Sequence, residues 1–375
     1  MIDKFDQPIY VTRPVMPDYE LYTERLKDIW DSKWLSNNGE QHKRLEAELV
    51  TYLKTPYISL FNNGTTALTV AIQALRLQGE VITTPFSFPA TTHALAWNNI
   101  TPVFCDIDPE TMTIDPTKIE QLITNRTTAI LGVHVYGIPC HVKQIQDIAD
   151  RHGLRVIYDA AHAFGTEING QPISSFGDIS MFSFHPTKLF HTSEGGGLTC
   201  KDSHLKERID LLKNFGIKNE FEVIMPGING KMNEMSALMG QCVLGLVEKE
   251  QEKRQKIRQQ YALEFEMVEG VDVVDVPNNV RNSQQYMVAR IDEKKFGFSR
   301  DAIYDELKSY NVYSRKYFYP LISDYPCYRQ LSSANEQFLS QSKKVSEEVL
   351  CLPFYGALSE GDVTKISQII KGLGE

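Results

Sequence analysis

Hydrophobic and polar positions change rhythm along this chain. In the first fifty residues apolar side chains recur at helical spacing: Tyr22, Leu26, Ile29 and Trp30 share one face, and Leu45, Leu49, Tyr52 and Leu53 another. The polar loop Trp34-Leu35-Ser36-Asn37-Asn38-Gly39 joins them. From about residue 57 short apolar runs alternate with helical patterns, and the runs at 57–61, 80–84, 102–105, 129–133 and 154–158 read as strands. This alternation predicts an α/β layer with a largely parallel sheet. In such sheets ligands bind beyond the carboxyl ends of the strands, so the residues that follow each strand carry the functional question. From about Leu244 onward a charged helix over 248–260, a strand over 286–291 and a helix over 301–310 predict a smaller α/β unit. The expected division is a large domain over 1–245 and a small one over 246–375.

Composition narrows the class. With 375 residues, 42% of them hydrophobic and 23% charged, the chain has the make-up of a folded protein able to bury a core without metal or disulfide staples. A net charge of −9 argues against a nucleic-acid-binding surface, so an anionic ligand must be met locally. The six cysteines (105, 140, 200, 242, 327, 351) are scattered without C-x-x-C pairing, as expected for reduced thiols in the cytosol. The acidic start lacks the apolar region of an export signal, and no apolar run is long enough for a bilayer, so no membrane association is expected. Neither G-x-x-x-x-G-K-[ST] nor G-x-G-x-x-G occurs, which disfavours a nucleotide kinase or a Rossmann dehydrogenase.

Four strand ends carry candidate chemistry. After the first comes Asn63-Gly64-Thr65-Thr66, where glycine permits close approach and a helix N-terminus favours an anion; a threonine cap without a ligand has the same spelling. After the second, Phe88 either fills the core or stacks on a flat ring. After the fifth, Asp159 sits where an unpaired carboxylate is costly and calls for a cation, or else caps a short helix. His162, three residues on, is then expected on the same face of one helical turn. The stretch from Met181 to Gly197 runs from an apolar strand through Ser183 and His185 to Lys188 and three glycines. A lysine held there loses hydration, and its free base becomes a nucleophile suited to a Schiff base. The glycines at 195–197 are read as backbone room for a tight return strand.

Together these features match the phosphate, ring face, ring nitrogen and aldehyde of pyridoxal 5′-phosphate (PLP). The chain resembles the DegT-like sugar aminotransferases among the fold type I PLP enzymes. Seven ordered segments carry the likeness: 63–68, 82–88, 102–108, 133–137, 159–165, 182–188 and 227–234. The resemblance implies an aspartate-aminotransferase-like fold, with a mostly parallel mixed sheet between helices and a small C-terminal α/β domain. It makes Lys188 the cofactor-bearing lysine, pairs Asp159 with the ring nitrogen and sets His162 near the ring hydroxyl. It also assigns Gly64, Thr65, Thr66 and Ser183 to the phosphate and Phe88 to the ring face.

In relatives the segment holding Asn229 and Lys231 reaches the partner's cofactor phosphate, which implies a homodimer with shared sites. Lysine at 231, where arginine is common, removes a bidentate contact. Some relatives carry histidine in place of the lysine and act as dehydratases; Lys188 argues for transamination. The implied reaction is ping-pong transfer from an amino acid, with L-glutamate implied, to a nucleotide-linked keto-deoxysugar. Residues 10–14, 34–39 and 230–232 look most like members that aminate dTDP-4-keto-6-deoxyglucose; the alternatives are a 3-keto-sugar aminotransferase and a non-catalytic sensor. Trp34, Asn37, His185, Arg315, Lys316 and Tyr317 are the substrate-contact candidates, although Arg315 and Lys316 read equally as a solvated basic turn and Trp34 as a buried anchor. No metal is expected.

Overall fold

The computed structural model describes residues 2–374. Its frame is a seven-stranded sheet built from β1 (Tyr57–Phe61), β2 (Glu80–Thr83), β3 (Thr101–Phe104), β4 (Thr127–Val133), β5 (Arg155–Asp159), β6 (Ile179–Ser183) and β7 (Gly196–Cys200). Their order across the sheet is β1-β7-β6-β5-β4-β2-β3. All run parallel except β7, which is antiparallel to both β1 and β6. The strands are buried on both faces, and their alternation sorts two cores. Val81, Ala129, Leu131 and Ile157 pack toward the helix Gly64–Ala74, whereas Ile82, Ile130, Val156 and Tyr158 pack toward the helix Val142–His152.

Strand register brings the chemistry-bearing ends together. Gly196 lies opposite Phe61 on one side and Ser183 on the other, and Asp159 lies opposite Met181. A Cβ on Gly196 would stand 2.7 Å from the carbonyl carbon of Asn63 and 2.8 Å from the Cα of Gly64, so only glycine lets β7 pass this close to the turn after β1. The return strand expected from the glycines is therefore present.

A second core surrounds the antiparallel strands Val271–Val273, Met287–Ile291 and Val349–Leu352, covered by the helices Val247–Phe265, Arg300–Ser309 and Glu360–Gly374. The chain's first residues pack here too: Ile9–Tyr10 pairs with Val312–Tyr313, and Ile2 and Phe5 lie against this core. Among the described residues no helix is long and apolar enough to cross a membrane.

The α/β architecture matches the expectation, with two local corrections. Trp30 is 63% exposed, because the stripe of Tyr22, Leu26 and Ile29 alone meets Leu238 and Cys242. The residues after Asp159 form no helix. Ala163 donates its N–H to the carbonyl of Ala160, Thr166 does the same to Ala163, and Gly165 takes a left-handed φ of 73°, so successive tight turns carry the chain away.

Candidate active site

One cavity of about 250 Å³ opens at the carboxyl ends of β1, β2, β4, β5 and β6. Its walls include Gly64, Thr65, Phe88, Asp159, His162, Ser183, His185, Lys188 and Tyr317. These are nine of the residues expected from the sequence, and they arrive from separate segments of the chain.

At one end lies the N-terminus of the helix Gly64–Ala74. Asn63 caps it, its side chain accepting the Thr66 N–H at 2.7 Å. That bond occupies the Thr66 amide and leaves those of Gly64 and Thr65 as the first-turn donors, with the hydroxyls of Thr65 and Ser183 beside them. Thr66 itself does not line the cavity; its side chain lies toward Gly230, where an added Cβ would meet the Thr66 methyl at 2.9 Å.

At the floor Asp159 ends β5, 5% exposed. Thr91 donates its hydroxyl to the carboxylate at 2.7 Å, and the Ala161 N–H donates at 3.1 Å. Since the Thr91 proton is used there, the Ser87 hydroxyl donates to Thr91 at 2.7 Å, which completes a relay that orients the carboxylate. Burial raises the Asp159 pKa, and neither these two bonds nor the nearby Lys188 cancels that effect. The cation that a buried carboxylate calls for is therefore supplied only at a distance by the chain.

Lys188 enters from the loop after β6, its Nζ 5.8 Å from the centre of the Tyr286 ring. Burial lowers its pKa to about 8, against the pull of Asp159. His162 lies parallel to Phe318 at 5.8 Å and meets the edge of Tyr286 at 5.0 Å. Its Nδ1 accepts the backbone N–H of Tyr136 at 3.3 Å, and burial, then the Lys188 charge, keep its pKa well below the ordinary value. The ring is accordingly neutral with its proton on Nε2. Phe88, 56% exposed, caps the helix Pro89–Trp97 at the cavity wall. His185 is turned toward Thr187 (2.8 Å) and Glu194 (3.7 Å) at the cavity rim.

Besides Thr66, six expected residues stand elsewhere. Asn229 is exposed, while Lys231 lies 4.5 Å over the Phe215 ring and pairs its backbone with Phe61. The Trp34 indole N–H donates to the Asn37 carbonyl at 2.9 Å, closing an exposed loop on itself. Arg315 pairs its backbone with Cys351, and Lys316 binds Asp301 at 2.8 Å over the Tyr304 ring. Neither Arg315 nor Lys316 lines the cavity.

Sequence reading missed Ser87, Thr91, Tyr286 and Phe318, all of which line the cavity or hold its groups. No signal singled out Thr91, because Thr92 and His93 beside it are also polar in a helix that begins with proline. Tyr286 carried none either, since it is brought in from the segment just before the strand Met287–Ile291.

A family model described as the DegT/DnrJ/EryC1/StrS aminotransferase family matches residues 18–371. The chain is 46% identical over 368 residues to the dTDP-4-amino-4,6-dideoxy-D-glucose transaminase of Escherichia coli, covering 98% of this chain and 99% of that one. It is 42% identical over 366 residues to the transaminase of the same name from Shigella dysenteriae, with the same coverage. Among solved structures, that of DesI in the presence of its TDP-sugar product superposes with a TM-score of 0.95 at 35% identity, covering 99% of this chain and 94% of that one. A full-length match to the family and near-half identity to named transaminases agree with the cavity, and the chain belongs to the DegT/DnrJ/EryC1/StrS aminotransferase family.

Proposed function

We propose that this enzyme uses PLP to move an amino group from L-glutamate to C4 of dTDP-4-keto-6-deoxyglucose, in the cytosol and as a homodimer. The observation that carries the reading is the facing of Lys188 and Asp159 across one cavity that ends on an open helix N-terminus. The two full-length transaminase relatives support the choice of sugar.

The residues fit the cofactor. The amides of Gly64 and Thr65 with Ser183 offer donors for a phosphate, and Phe88 offers a ring face. Asp159, buried and short of a cation, suits a protonated ring nitrogen, and the Nε2–H of His162 is a donor for the ring hydroxyl. When bound, PLP supplies an electron sink for the pair left as a proton leaves the donor amino acid.

The chain's own work is then orientation and proton transfer. Asp159, fixed by Thr91 and Ala161, holds a negative charge where the ring nitrogen must stay protonated. Lys188, with its pKa near 8, exchanges between base and acid at neutral pH and is the group that removes and returns the Cα proton. His185 and Tyr317 contact the sugar at the rim, and Trp34, Asn37 and Arg315 remain candidates for its nucleotide. Asn229 and Lys231 complete the phosphate site of the partner subunit.

The test is incubation with PLP, glutamate and each dTDP-keto-deoxysugar in turn, with the aminated carbon located by NMR. Amination at C3 alone moves the reading to the 3-keto isomer, and failure to bind PLP ends it. Sharing is tested by mixing inactive Lys188→Ala and Lys231→Ala proteins: a shared site restores up to about a quarter of wild-type activity, because half of the dimers regain one complete site.

A further inference from the structure

The lysine loop is held by a residue from outside the large sheet. Gln285 is buried, with 1% of its surface exposed, just before the strand Met287–Ile291. Its side-chain amide donates to the Thr187 carbonyl at 2.9 Å and accepts the Leu189 N–H at 2.7 Å. It therefore bridges the two peptide groups that flank Lys188, whose own N–H is taken by the His185 carbonyl at 2.9 Å.

Gln285 is itself fixed from behind. Gln284 adopts a left-handed φ of 57°, and its carbonyl accepts from Arg254 at 3.2 Å while its side chain accepts from Arg258 at 2.9 Å. Arg258 also donates to the Tyr286 carbonyl at 2.6 Å. Both arginines belong to the helix Val247–Phe265, so a rigid element anchors the segment. Three further contacts show what the segment spans: Ser283 donates its hydroxyl to the His162 carbonyl, Asn282 reaches the Tyr136 carbonyl at 3.5 Å, and the Tyr286 ring faces Lys188. One strap thus touches the loops after β4, β5 and β6.

We propose that Gln285 is the positioning residue for Lys188: by clasping both neighbouring peptide groups it aims the lysine amine across the cavity toward Asp159. Without the clasp the Leu189 N–H and the Thr187 carbonyl lose their partners in a buried setting, and the loop relaxes to recover them. A lysine displaced by even an ångström works against a cofactor ring that other residues still hold in place. The inference rests on reading Lys188 as the cofactor-bearing residue.

The experiment compares wild type, Gln285→Leu, which removes both bonds at similar size, and Gln285→Glu, which keeps the acceptor. In cofactor-free protein, reductive methylation of Lys188 with formaldehyde is followed against pH by mass spectrometry; in loaded protein, kcat and KM are measured per bound cofactor. Gln285→Leu is expected to shift the labelling midpoint by about half a pH unit or more and to lower kcat about tenfold to a hundredfold, while KM for the keto sugar stays within about threefold. Gln285→Glu should fall between. A folded Gln285→Leu protein whose labelling midpoint and kcat match wild type overturns the proposal. So does a loss confined to melting temperature and cofactor occupancy. If Gln285→Leu does not fold, the same outcomes are read on Gln285→Glu. Wild-type protein that captures no PLP sinks the cofactor reading instead, and the methylation profile still decides Gln285.

Discussion

Two lysines in this protein are drawn into the fold, Lys213 buried beside an aspartate and Lys188 half-buried at the cavity wall, and their surroundings suit opposite uses. Lys213, 4% exposed, binds Asp210 at 2.8 Å, and Asp210 also binds Lys206 at 2.7 Å and accepts the Ser59 hydroxyl at 2.7 Å. Burial alone pushes the Asp210 pKa up, but the ammonium groups of Lys213 and Lys206 hold it below the ordinary value. Lys188 has no such contact with Asp159, and burial wins at both groups: the lysine is pushed down and the aspartate up. Burial, partial or full, is therefore common to structural and chemical lysines. Burial lowers the Lys213 pKa as well, so the contrast lies in the carboxylates: direct pairing holds Asp210 below its ordinary value, while the distance to Lys188 leaves Asp159 raised and calling for a cation.

The sharpest way to break this contrast is to remove each lysine. Lys188→Ala should lower transamination by about 10⁴-fold or more, because it removes both nucleophile and proton carrier, and should leave the melting temperature nearly unchanged. Lys213→Met should do the reverse, costing about 2 kcal/mol in denaturant unfolding while kcat per folded molecule is kept. Equal effects of the two substitutions on activity would sink the distinction.

The aspartates provide the next test. Asp159→Asn should lower kcat about 10²- to 10³-fold by removing the charge beneath the ring nitrogen. The cofactor-free variant should nonetheless melt at the same temperature as wild type or higher at pH 7, since a buried carboxylate with a raised pKa is a cost of folding. Asp210→Asn should melt lower. Its wild-type carboxylate has a lowered pKa, so its contribution is present above the ordinary aspartate value of about 4 and is lost as pH falls through the lower folded value.

Titration tests Lys188 more gently. Only the free amine attacks, so capture of PLP by cofactor-free protein should rise with pH and level off above about 8, where burial has moved the Lys188 pKa, and not near the 10.5 of an ordinary lysine. A stopped-flow series over pH 6 to 11 reads this midpoint, at about those limits. A midpoint near 10 places Lys188 in solvent and removes its difference from surface lysines.

The sequence made one half of this comparison legible. The alternation of runs and helices laid out the sheet, and residues at strand ends (Asp159, Ser183) or in the turns just beyond them (Gly64, Lys188) fell around the cavity because strand register is local and strong. Residues that act through distant pairing were not legible. Gln285 and Tyr286 come from beyond the large sheet, and the bond between Thr91 and Asp159 spans 68 positions. The helical turn expected at His162 failed because a glycine with positive φ and tight turns redirected the chain. Lys213 drew no attention at all, since its partner Asp210 and the Lys206 that shares it lie on an ordinary charged helix face until the fold gathers them.

The smallest expected effect tests composition against placement. Two cations among aromatics at 315–319 suit a nucleotide diphosphate by composition, yet the Lys316 ammonium is already held by Asp301 at 2.8 Å and lies over Tyr304 at 4.4 Å. To meet a phosphate it must break a pair whose carboxylate is half exposed, and such pairs contribute about 0 to 1 kcal/mol. Lys316→Ala should then leave KM for the dTDP-sugar within about twofold and stability within about 1 kcal/mol. A tenfold or larger rise in KM that vanishes at about 1 M salt would instead mean that the ammonium leaves Asp301 for the substrate. Lys316 would then join Lys188 as a lysine defined by the charge it can reach, and Lys213 would be left as a structural brace.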